Sequence, residues 1–204
     1  MVAFLLAAVS TLSGSQTEDR VVKPEIRVGD SWTYRGTNAL APGTHEYENR
    51  VSFANEKVIL LITTRKSDGK EVDSSWTPEW NAMTSHAGYM FRPNSGMFRF
   101  PLRIGDKHEL TFQFLRPRVE TVESFTTGST TVVGWEMVEV PAGKFRAIKL
   151  EVDTIIQPLD GSRAYPRQVT FWYVPDVRRW VKLQVFTPSV RSSEELLEYK
   201  LNEN

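Results

Sequence analysis

Apolar residues that alternate with polar ones at a period of two dominate this chain. Trp32 and Tyr34 alternate in one short run, and Tyr47, Val51 and Phe53 share one parity in the next. A helix repeats its apolar positions every three or four residues, and such spacing is nearly absent here. Residues on one face of a strand lie two apart, so the pattern predicts an all-β fold.

Turn residues separate the alternating runs at short intervals. The branched apolar run 57–65 is followed by Asp68-Gly69, and this pair provides the positive φ that a tight hairpin requires. Further turns are predicted at 141–143 (Pro-Ala-Gly), 160–161 (Asp-Gly) and 175–176 (Pro-Asp). Additional strands are predicted at 108–115, 119–126, 131–140, 145–156, 168–174, 180–186 and 195–201. Strands joined in this way form an antiparallel β-meander.

The last of these strands has a competing interpretation. The segment 193–198 begins with Ser-Glu-Glu, which could cap one turn of helix. Leu197, Tyr199 and Leu201 alternate with charged residues, however, and this alternation favours a strand.

Composition limits the class of protein. With 40% hydrophobic and 25% charged residues, the 204-residue chain is typical of a globular protein, and no linker divides it. We therefore expect a single β domain over residues 17–204. Lys plus Arg and Asp plus Glu number 25 each, so no net field attracts nucleic acid. The absence of cysteine excludes disulfides and thiolate metal ligands.

The N-terminal residues have the order of a signal peptide. An apolar run at 3–9 (AFLLAAV) precedes small and polar residues at 10–16. The run is too short to span a bilayer, so no stable membrane span is expected. We interpret residues 1–16 as a signal peptide cleaved between Ser10 and Thr17, which predicts a periplasmic or secreted protein. The alternative is a first strand or a buried helical turn.

A four-residue sequence occurs twice in similar positions. Arg-Val-Gly-Asp at 27–30 precedes Trp32, and Arg-Ile-Gly-Asp at 103–106 precedes the strand predicted at 108–115. An internal duplication would explain this, but Gly-Asp is also a common turn before a strand. The second interpretation is favoured.

One long segment, 75–101, interrupts the meander with three prolines and two glycines. Long irregular connections are uncommon in compact domains and are often functional. This one is too apolar to extend into water, so it should lie against the sheet. Methionine and aromatic side chains adapt to irregular apolar ligands. The candidate ligand-binding residues are Trp76, Trp80, Met83, Met90, Phe91, Met97 and Phe98. The same residues could instead form a permanent plug.

Two further segments carry a resemblance to known proteins. Residues 135–151 (WEMVEVPAGKFRAIKLE) and 171–182 (FWYVPDVRRWVK) resemble a family of uncharacterised exported bacterial proteins, and Phe-Pro-Leu at 100–102 looks like the entry to the same region. The resemblance implies an antiparallel sheet curved around a concave face, as in the half-barrel of periplasmic lipoprotein carriers. The segment 75–101 would then cross the concave face of a half-barrel or open barrel. Arg178-Arg179 departs from the family, which more often has glycine after the Pro turn.

Catalytic and metal-binding patterns are weak or missing. His45, His86 and His108 lack both the spacing of metal ligands and the local signature of a Ser/His/Asp triad. Glu151 and Asp153 share one face of a predicted strand, as a glycosidase pair could, but a solvated outer face is the commoner explanation. No phosphate-binding glycine loop is present. Hence no cofactor is expected.

These observations favour an exported, non-enzymatic binding module for an apolar or amphipathic ligand. Its partner would be a lipid-like small molecule held beneath residues 75–101. One alternative is a structural or interaction module that contacts another envelope protein through a sheet edge or turn tips. A second is a hydrolase that acts on envelope glycans or esters.

Overall fold

The computed structural model describes residues 20–39 and 41–203, and within them twelve antiparallel strands form a closed barrel. Each strand pairs with its neighbours along the chain, and β1 pairs with β12 to close the sheet. The strands are β1 Ser31–Asn38, β2 Ala41–Ala54, β3 Ile59–Arg65, β4 Glu71–Trp76, β5 Ala82–Thr84, β6 Met90–Arg92, β7 Lys107–Leu115, β8 Val122–Val140, β9 Gly143–Pro158, β10 Tyr165–Val174, β11 Arg179–Thr187 and β12 Val190–Lys200. The all-β antiparallel prediction is confirmed. The predicted signal peptide, residues 1–16, lies outside the described residues.

Some boundaries differ from the predicted ones. The strands expected at 119–126 and 131–140 form one continuous strand, β8. Gly128 lies within it because a Cβ at this position would collide with the backbone carbonyl of Asp153 on β9. The glycine therefore permits close approach of two strands, and no turn forms there. The irregular segment 75–101 also contributes to the barrel, through the short strands β5 and β6.

The alternating strand directions give the barrel two distinct ends. We call the end with the β1–β2 hairpin the distal end, and the opposite end, where residues 20–30 enter β1, the proximal end. At the proximal end Val21 pairs with Leu102, which joins the N-terminal segment to the β6–β7 connection. The β10–β11 connection and the C-terminus also lie at the proximal end.

The repeated Arg-x-Gly-Asp sequences form the same turn in the two halves of the barrel. Asp30 N–H donates to Arg27 O at 3.1 Å, and Asp106 N–H donates to Arg103 O at 3.0 Å. Backbone hydrogen bonds then connect each turn to a valine on the second strand after it. This valine is Val51 on β2 for the first turn and Val132 on β8 for the second. The turns start the first strand of each six-strand half. The halves differ in one respect, because Asp30 is fully buried and Asp106 is exposed.

A short turn of 3-10 helix, Pro175–Val177, connects β10 to β11 where the sequence predicted a Pro-Asp turn. Arg178 follows it in the left-handed region, with φ of 61°. Glycine adopts this conformation without steric cost, whereas a residue with a Cβ adopts it less readily. Here the Arg178 side chain forms an ion pair with Asp30.

Buried side chains fill the proximal half of the barrel interior. Residues 93–102 of the β6–β7 connection, which we call the plug, enter it and contact inward-facing side chains. Phe98 is 3% exposed and its ring lies 4.8 Å from that of Phe171. Asn81 clamps Phe98 by accepting from its N–H at 2.8 Å and donating to its carbonyl at 2.9 Å. Thr130 donates to Met97 O at 2.9 Å. These bonds satisfy the backbone of a buried loop, as burial requires.

Candidate functional site

The distal half of the barrel interior is lined differently from the proximal half. Its inward-facing positions alternate with solvated outer positions along each strand, yet their side chains are only half-buried. We call the space they line the distal lumen. Its lining includes Tyr47, Phe91, Phe114, Leu183, Val185 and Glu194. Inward-facing residues of the proximal half, such as Leu61 on β3 and Tyr173 on β10, are at most 1% exposed. The inward-facing side chains are therefore fully buried in the proximal half and partly exposed in the distal half.

A buried arginine lies where the packed half meets the distal lumen. Arg179 is 2% exposed, and its guanidinium carbon lies 4.4 Å from the ring centre of Trp180 and 4.5 Å from that of Trp80. The rings of Trp32, Trp76 and Tyr34 lie 5.0, 5.7 and 5.8 Å away. We call these five rings the aromatic cage. Ring faces attract a cation, so the cage offsets part of the cost of burying the charge.

The cage leaves hydrogen-bonding capacity of Arg179 unused. Its Nε and Nη1 are fully buried and have no hydrogen-bond partner in the described part of the chain. Burial lowers the pKa of the Arg179 guanidinium, while Tyr34, Tyr47 and Glu194 act in the opposite direction. A charged group with unpaired N–H donors inside a protein is costly, and such groups mark functional sites more often than ordinary core positions.

Glu194 is the acidic counterpart of Arg179 in the distal lumen. Burial raises the pKa of Glu194, and the hydrogen bond with Tyr47 and the charge of Arg179 partly oppose that rise. His86 and His45 lower the same pKa through their charges. Burial likewise raises the pKa of Tyr47 well above its usual value. A carboxyl group in this setting accepts a proton more readily than one in water.

Three aromatic rings lead from the cage toward the distal end. Tyr34 is fully buried and donates to Trp180 O at 2.6 Å. Its ring stacks on Tyr47 at 5.8 Å, and Tyr47 stacks on the exposed His45 at 5.8 Å. Gly36 makes room for the last ring, since a Cβ there would collide with the His45 imidazole. The stacked rings become more exposed from Tyr34 through Tyr47 to His45, and they line one wall between the cage and the distal end.

A second aromatic wall comes from β6 and β7. Phe91 lies edge-on to Phe112 at 5.5 Å and to Phe114 at 5.3 Å. Tyr89 stacks on Phe114 at 4.7 Å. Phe112 is buried, whereas Phe91, Phe114 and Tyr89 are half-buried. This wall presents apolar ring surface to the distal lumen.

The seven candidate residues from 75–101 fall into three places. Trp76 and Trp80 belong to the cage, where Phe98 of the plug also packs against Trp180 at 6.2 Å. Phe91 belongs to the second aromatic wall, and Met97 is buried in the plug at 7% exposure. Met83 on β5 and Met90 on β6 are half-buried. The structure therefore brings Trp76, Trp80 and Phe98 together and separates Phe91 from them.

One strand tryptophan and the carboxylate pair predicted from the sequence lie on the outer surface. Trp172 is half-buried there, donating to Glu136 at 2.8 Å. Core packing is the usual role of a strand tryptophan, and Trp180, at 3% exposure, has that role while Trp172 does not. Glu151 pairs with Lys149 at 2.9 Å, and Asp153 accepts from Gln168 at 2.9 Å. Both carboxylates are thus engaged away from the lumen.

Sequence reasoning missed three residues of the distal lumen, Arg179, Glu194 and Tyr47, as members of one site. A charged residue in an alternating strand is ordinarily assigned to the solvated face. The available signal was the pair Arg178-Arg179 directly before Trp180, at the start of a predicted strand.

Two broader features follow from the described residues. They contain no cluster of three or more His, Asp or Glu side chains arranged to hold a metal ion. None of the helical structure in these residues is long and apolar enough to cross a membrane.

Comparison with known proteins gives the fold alone. No family model matches the sequence, and no curated protein matches it either. Several solved structures are similar in shape. A predicted lipoprotein from Parabacteroides distasonis has a TM-score of 0.55 and 12% identity, over 90% of this chain and 100% of that one. A predicted exported protein with a YmcC-like fold from Bacteroides fragilis has a TM-score of 0.56 and 16% identity, over 88% and 99%. The hypothetical lipoprotein YmcC from Escherichia coli has a TM-score of 0.50 and 7% identity, over 83% and 84%.

Proposed function

We propose that this protein is an exported binding module of the bacterial envelope that holds an amphipathic small molecule in its distal lumen. The observation that carries the proposal is the contrast between fully buried inward-facing side chains in the proximal half and half-buried ring and aliphatic side chains in the distal half. Ligand sites in barrels lie in such mouths, with mostly apolar walls and a few polar groups. Glu194, Tyr47 and Arg179 are those polar groups.

The location rests on two separate supports. The similar structures are named as exported proteins or lipoproteins. Residues 1–16 of this chain also have the order of a signal peptide. Expression of the full chain in a bacterial host, followed by fractionation and an intact mass, tests this part. A mature protein that begins between Ser10 and Thr17 supports export, and an uncleaved cytoplasmic chain contradicts it.

The proposal also assigns different roles to different residues within 75–101. Met97 and Phe98 belong to a permanent plug, because they are buried and Thr130 donates to Met97 O. Trp80 of the aromatic cage is also fixed in the proximal half, since it is buried and donates to Arg178 O. Phe91 contacts the ligand because it faces the distal lumen beside Phe114. Ligand binding is therefore expected to depend on Phe91 and to leave the plug in place.

A pair of tryptophan substitutions on one strand tests the binding site. Val185 faces the lumen opposite Val169, and Gln184 next to it is exposed on the outer surface. Val185→Trp should fill the lumen and weaken binding of the dye N-phenylnaphthylamine by about tenfold or more. Gln184→Trp should bind the dye like the wild type. Equal affinity of both variants, or no dye binding by the wild type, would contradict a lumenal site.

The two other functions make different predictions. A protein-interaction module would yield a specific cross-linked adduct in cells and no co-purifying amphiphile. The barrel pairs each of its described strands on both sides, so outer faces and turn tips, rather than a full-length free edge, would make that contact. A hydrolase would need a lumenal pair of groups, and the lumenal carboxyl group is Glu194 rather than Glu151 or Asp153.

A further inference from the structure

The charge inside the barrel is not balanced by carboxylates. Arg179 forms no ion pair with any carboxylate of the described residues, and its Nε and Nη1 have no partner. Arg167 on β10 is a second inward-facing arginine, since it lies opposite the buried Thr154 and two positions from the buried Val169. Against these two cations, the inward positions described for the strands supply one carboxyl group, Glu194.

The aromatic cage does not satisfy the donors of Arg179. A ring face attracts positive charge, but it offers no lone pair to an N–H group. Arginine presents five donors in a planar fork that matches a carboxylate or a phosphate, and such charge-assisted bonds are the strong ones. An anion with acceptor oxygens would therefore fit the donors of Arg179.

The position of Arg179 determines how such an anion would lie. Arg179 contacts the ring of Tyr34, which stacks on Tyr47, and Tyr47 is hydrogen-bonded to Glu194 in the distal lumen. Arg179 thus lies at the boundary between the packed half and the distal lumen, and the apolar rings of Phe91 and Phe114 lie on the wall of the lumen. An anionic group at this boundary would leave an attached apolar chain directed along that wall toward the distal end.

Resting on the proposed function, we propose that the ligand is an anionic amphiphile whose carboxylate or phosphate accepts hydrogen bonds from Arg179. The apolar chain lies in the distal lumen. Arg167 adds a second positive charge nearer the distal end. Glu194 opposes the anion when ionised and can donate a hydrogen bond to it when protonated.

Four amphiphiles of one chain length test the head group. Dodecanoate, dodecyl phosphate, dodecanol and dodecylammonium are each titrated against protein loaded with N-phenylnaphthylamine. Dodecanoate or dodecyl phosphate, or both, should displace the dye about tenfold more tightly than dodecanol, because a charge-assisted hydrogen bond is gained. Dodecylammonium should bind most weakly. The order of the two anions identifies the source as a carboxylate or a phosphate.

Variants then connect the preference to Arg179. Arg179→Gln should bring the anions to within about twofold of dodecanol. Arg35→Gln, which changes an exposed arginine of an outer ion pair, should leave the order unchanged. If Arg179→Gln does not fold, the Glu194→Gln variant tests the proposal instead. It removes the like charge and should tighten binding of the anions at neutral pH while leaving dodecanol unaffected.

The outcomes separate the two proposals. If none of the four amphiphiles displaces the dye or binds by calorimetry, the proposed function fails and the inference fails with it. If all four bind with one affinity, or if the anion preference survives Arg179→Gln, amphiphile binding stands and the anionic head group at Arg179 is overturned. A Glu194→Gln variant that binds the anions no better than the wild type at neutral pH likewise counts against it.

Discussion

Asp30 and Arg178 form an ion pair at the proximal end, with Arg178 Nη1 3.0 Å from Asp30 Oδ2. The Asp30 side chain is fully buried, and it also accepts from the backbone N–H of Asn202 at 2.7 Å and of Arg27 at 3.0 Å. One carboxylate therefore joins the N-terminal segment, the β10–β11 connection and the C-terminus. Arg178 has a left-handed backbone conformation, and in this conformation its guanidinium reaches the Asp30 carboxylate.

Asp30→Ala should destabilise the protein strongly because it leaves Arg178 and two backbone donors without their acceptor. Loss of one partner from a buried ion pair costs about 3–5 kcal/mol. The free energy of unfolding in urea measures the loss. Asp106→Ala is the matched control, since Asp106 occupies the same turn in the other half of the barrel with an exposed side chain. It should change stability by less than about 0.5 kcal/mol. Similar losses in the two variants would contradict this account.

Two glycines of the barrel should respond differently to alanine. A Cβ at Gly128 meets the backbone of Asp153 and Thr154, which cannot move without breaking the β8–β9 ladder. A Cβ at Gly36 meets the His45 ring, which is exposed and can rotate away. Gly128→Ala should therefore cost about 3 kcal/mol or more, and Gly36→Ala about 1 kcal/mol or less. Thermal unfolding compares them, and an equal loss would show that the Gly128 contact is not the cause.

Period-two alternation predicted the strands well because burial on one face of a sheet repeats every second residue. The alternation did not give the correct inward face where the pairing register between two strands shifts. A bulge at Thr33/Tyr34 changes the pairing of β1 with β12, so Leu196 is fully buried while Tyr199 is 41% exposed. The alternation of Leu197 with Tyr199 identified the strand correctly but did not reveal its inward face. A bulge adds one residue without a sequence signature of its own.

The site was harder to predict than the fold for a different physical reason. Arg179 and Glu194 are charged residues at inward positions, and alternation assigns charge to the solvated face. The inward placement of Arg179 depends on five rings from β1, β4, β11 and the β4–β5 connection, which are brought together only by the closed barrel. Residues 75–101 were recognised as unusual because they combine turn residues with apolar mass. Their division between plug and lumen wall depends on the clamp formed by Asn81.

Asn81→Ala should loosen the plug. It removes two bonds to the buried backbone of Phe98 and leaves a donor and an acceptor unpaired, at about 1–3 kcal/mol for each group. Hydrogen exchange of the Phe98 amide measures the effect directly, and it should accelerate more than that of Phe171 in β10. Asn94→Ala, which removes one bond to Gly96 in the same loop, should have a smaller effect. In the wild type, the Phe98 amide should exchange equally slowly with and without a bound amphiphile, whereas a lid would show faster exchange when empty.

Glu194→Gln should stabilise the protein at neutral pH, with the gain disappearing in acid. Burial raises the pKa of Glu194 in the folded state above its ordinary value, so its ionised form costs stability wherever the unfolded chain is also ionised. As the pH falls through the raised pKa, the folded wild type takes up a proton and recovers stability. Below about pH 4 both states are protonated and the cost is gone. Tyr47 can still donate to the glutamine, and the charges of Arg179, His45 and His86 that reach Glu194 remain.

Urea unfolding of the wild type and Glu194→Gln across this pH range measures the difference. Glu195→Gln is the control, because Glu195 is the next residue on β12 and forms an outer ion pair with Lys182 at 2.8 Å. Its substitution should give no gain at neutral pH, since it weakens a favourable ion pair on the outer face and removes no charge from the lumen. A stability difference for Glu194→Gln that stays constant with pH, or that grows in acid, would mean that Glu194 does not titrate with a raised pKa. The lumen would then tolerate its charge, and the opposition between Glu194 and a bound anion would have no electrostatic basis.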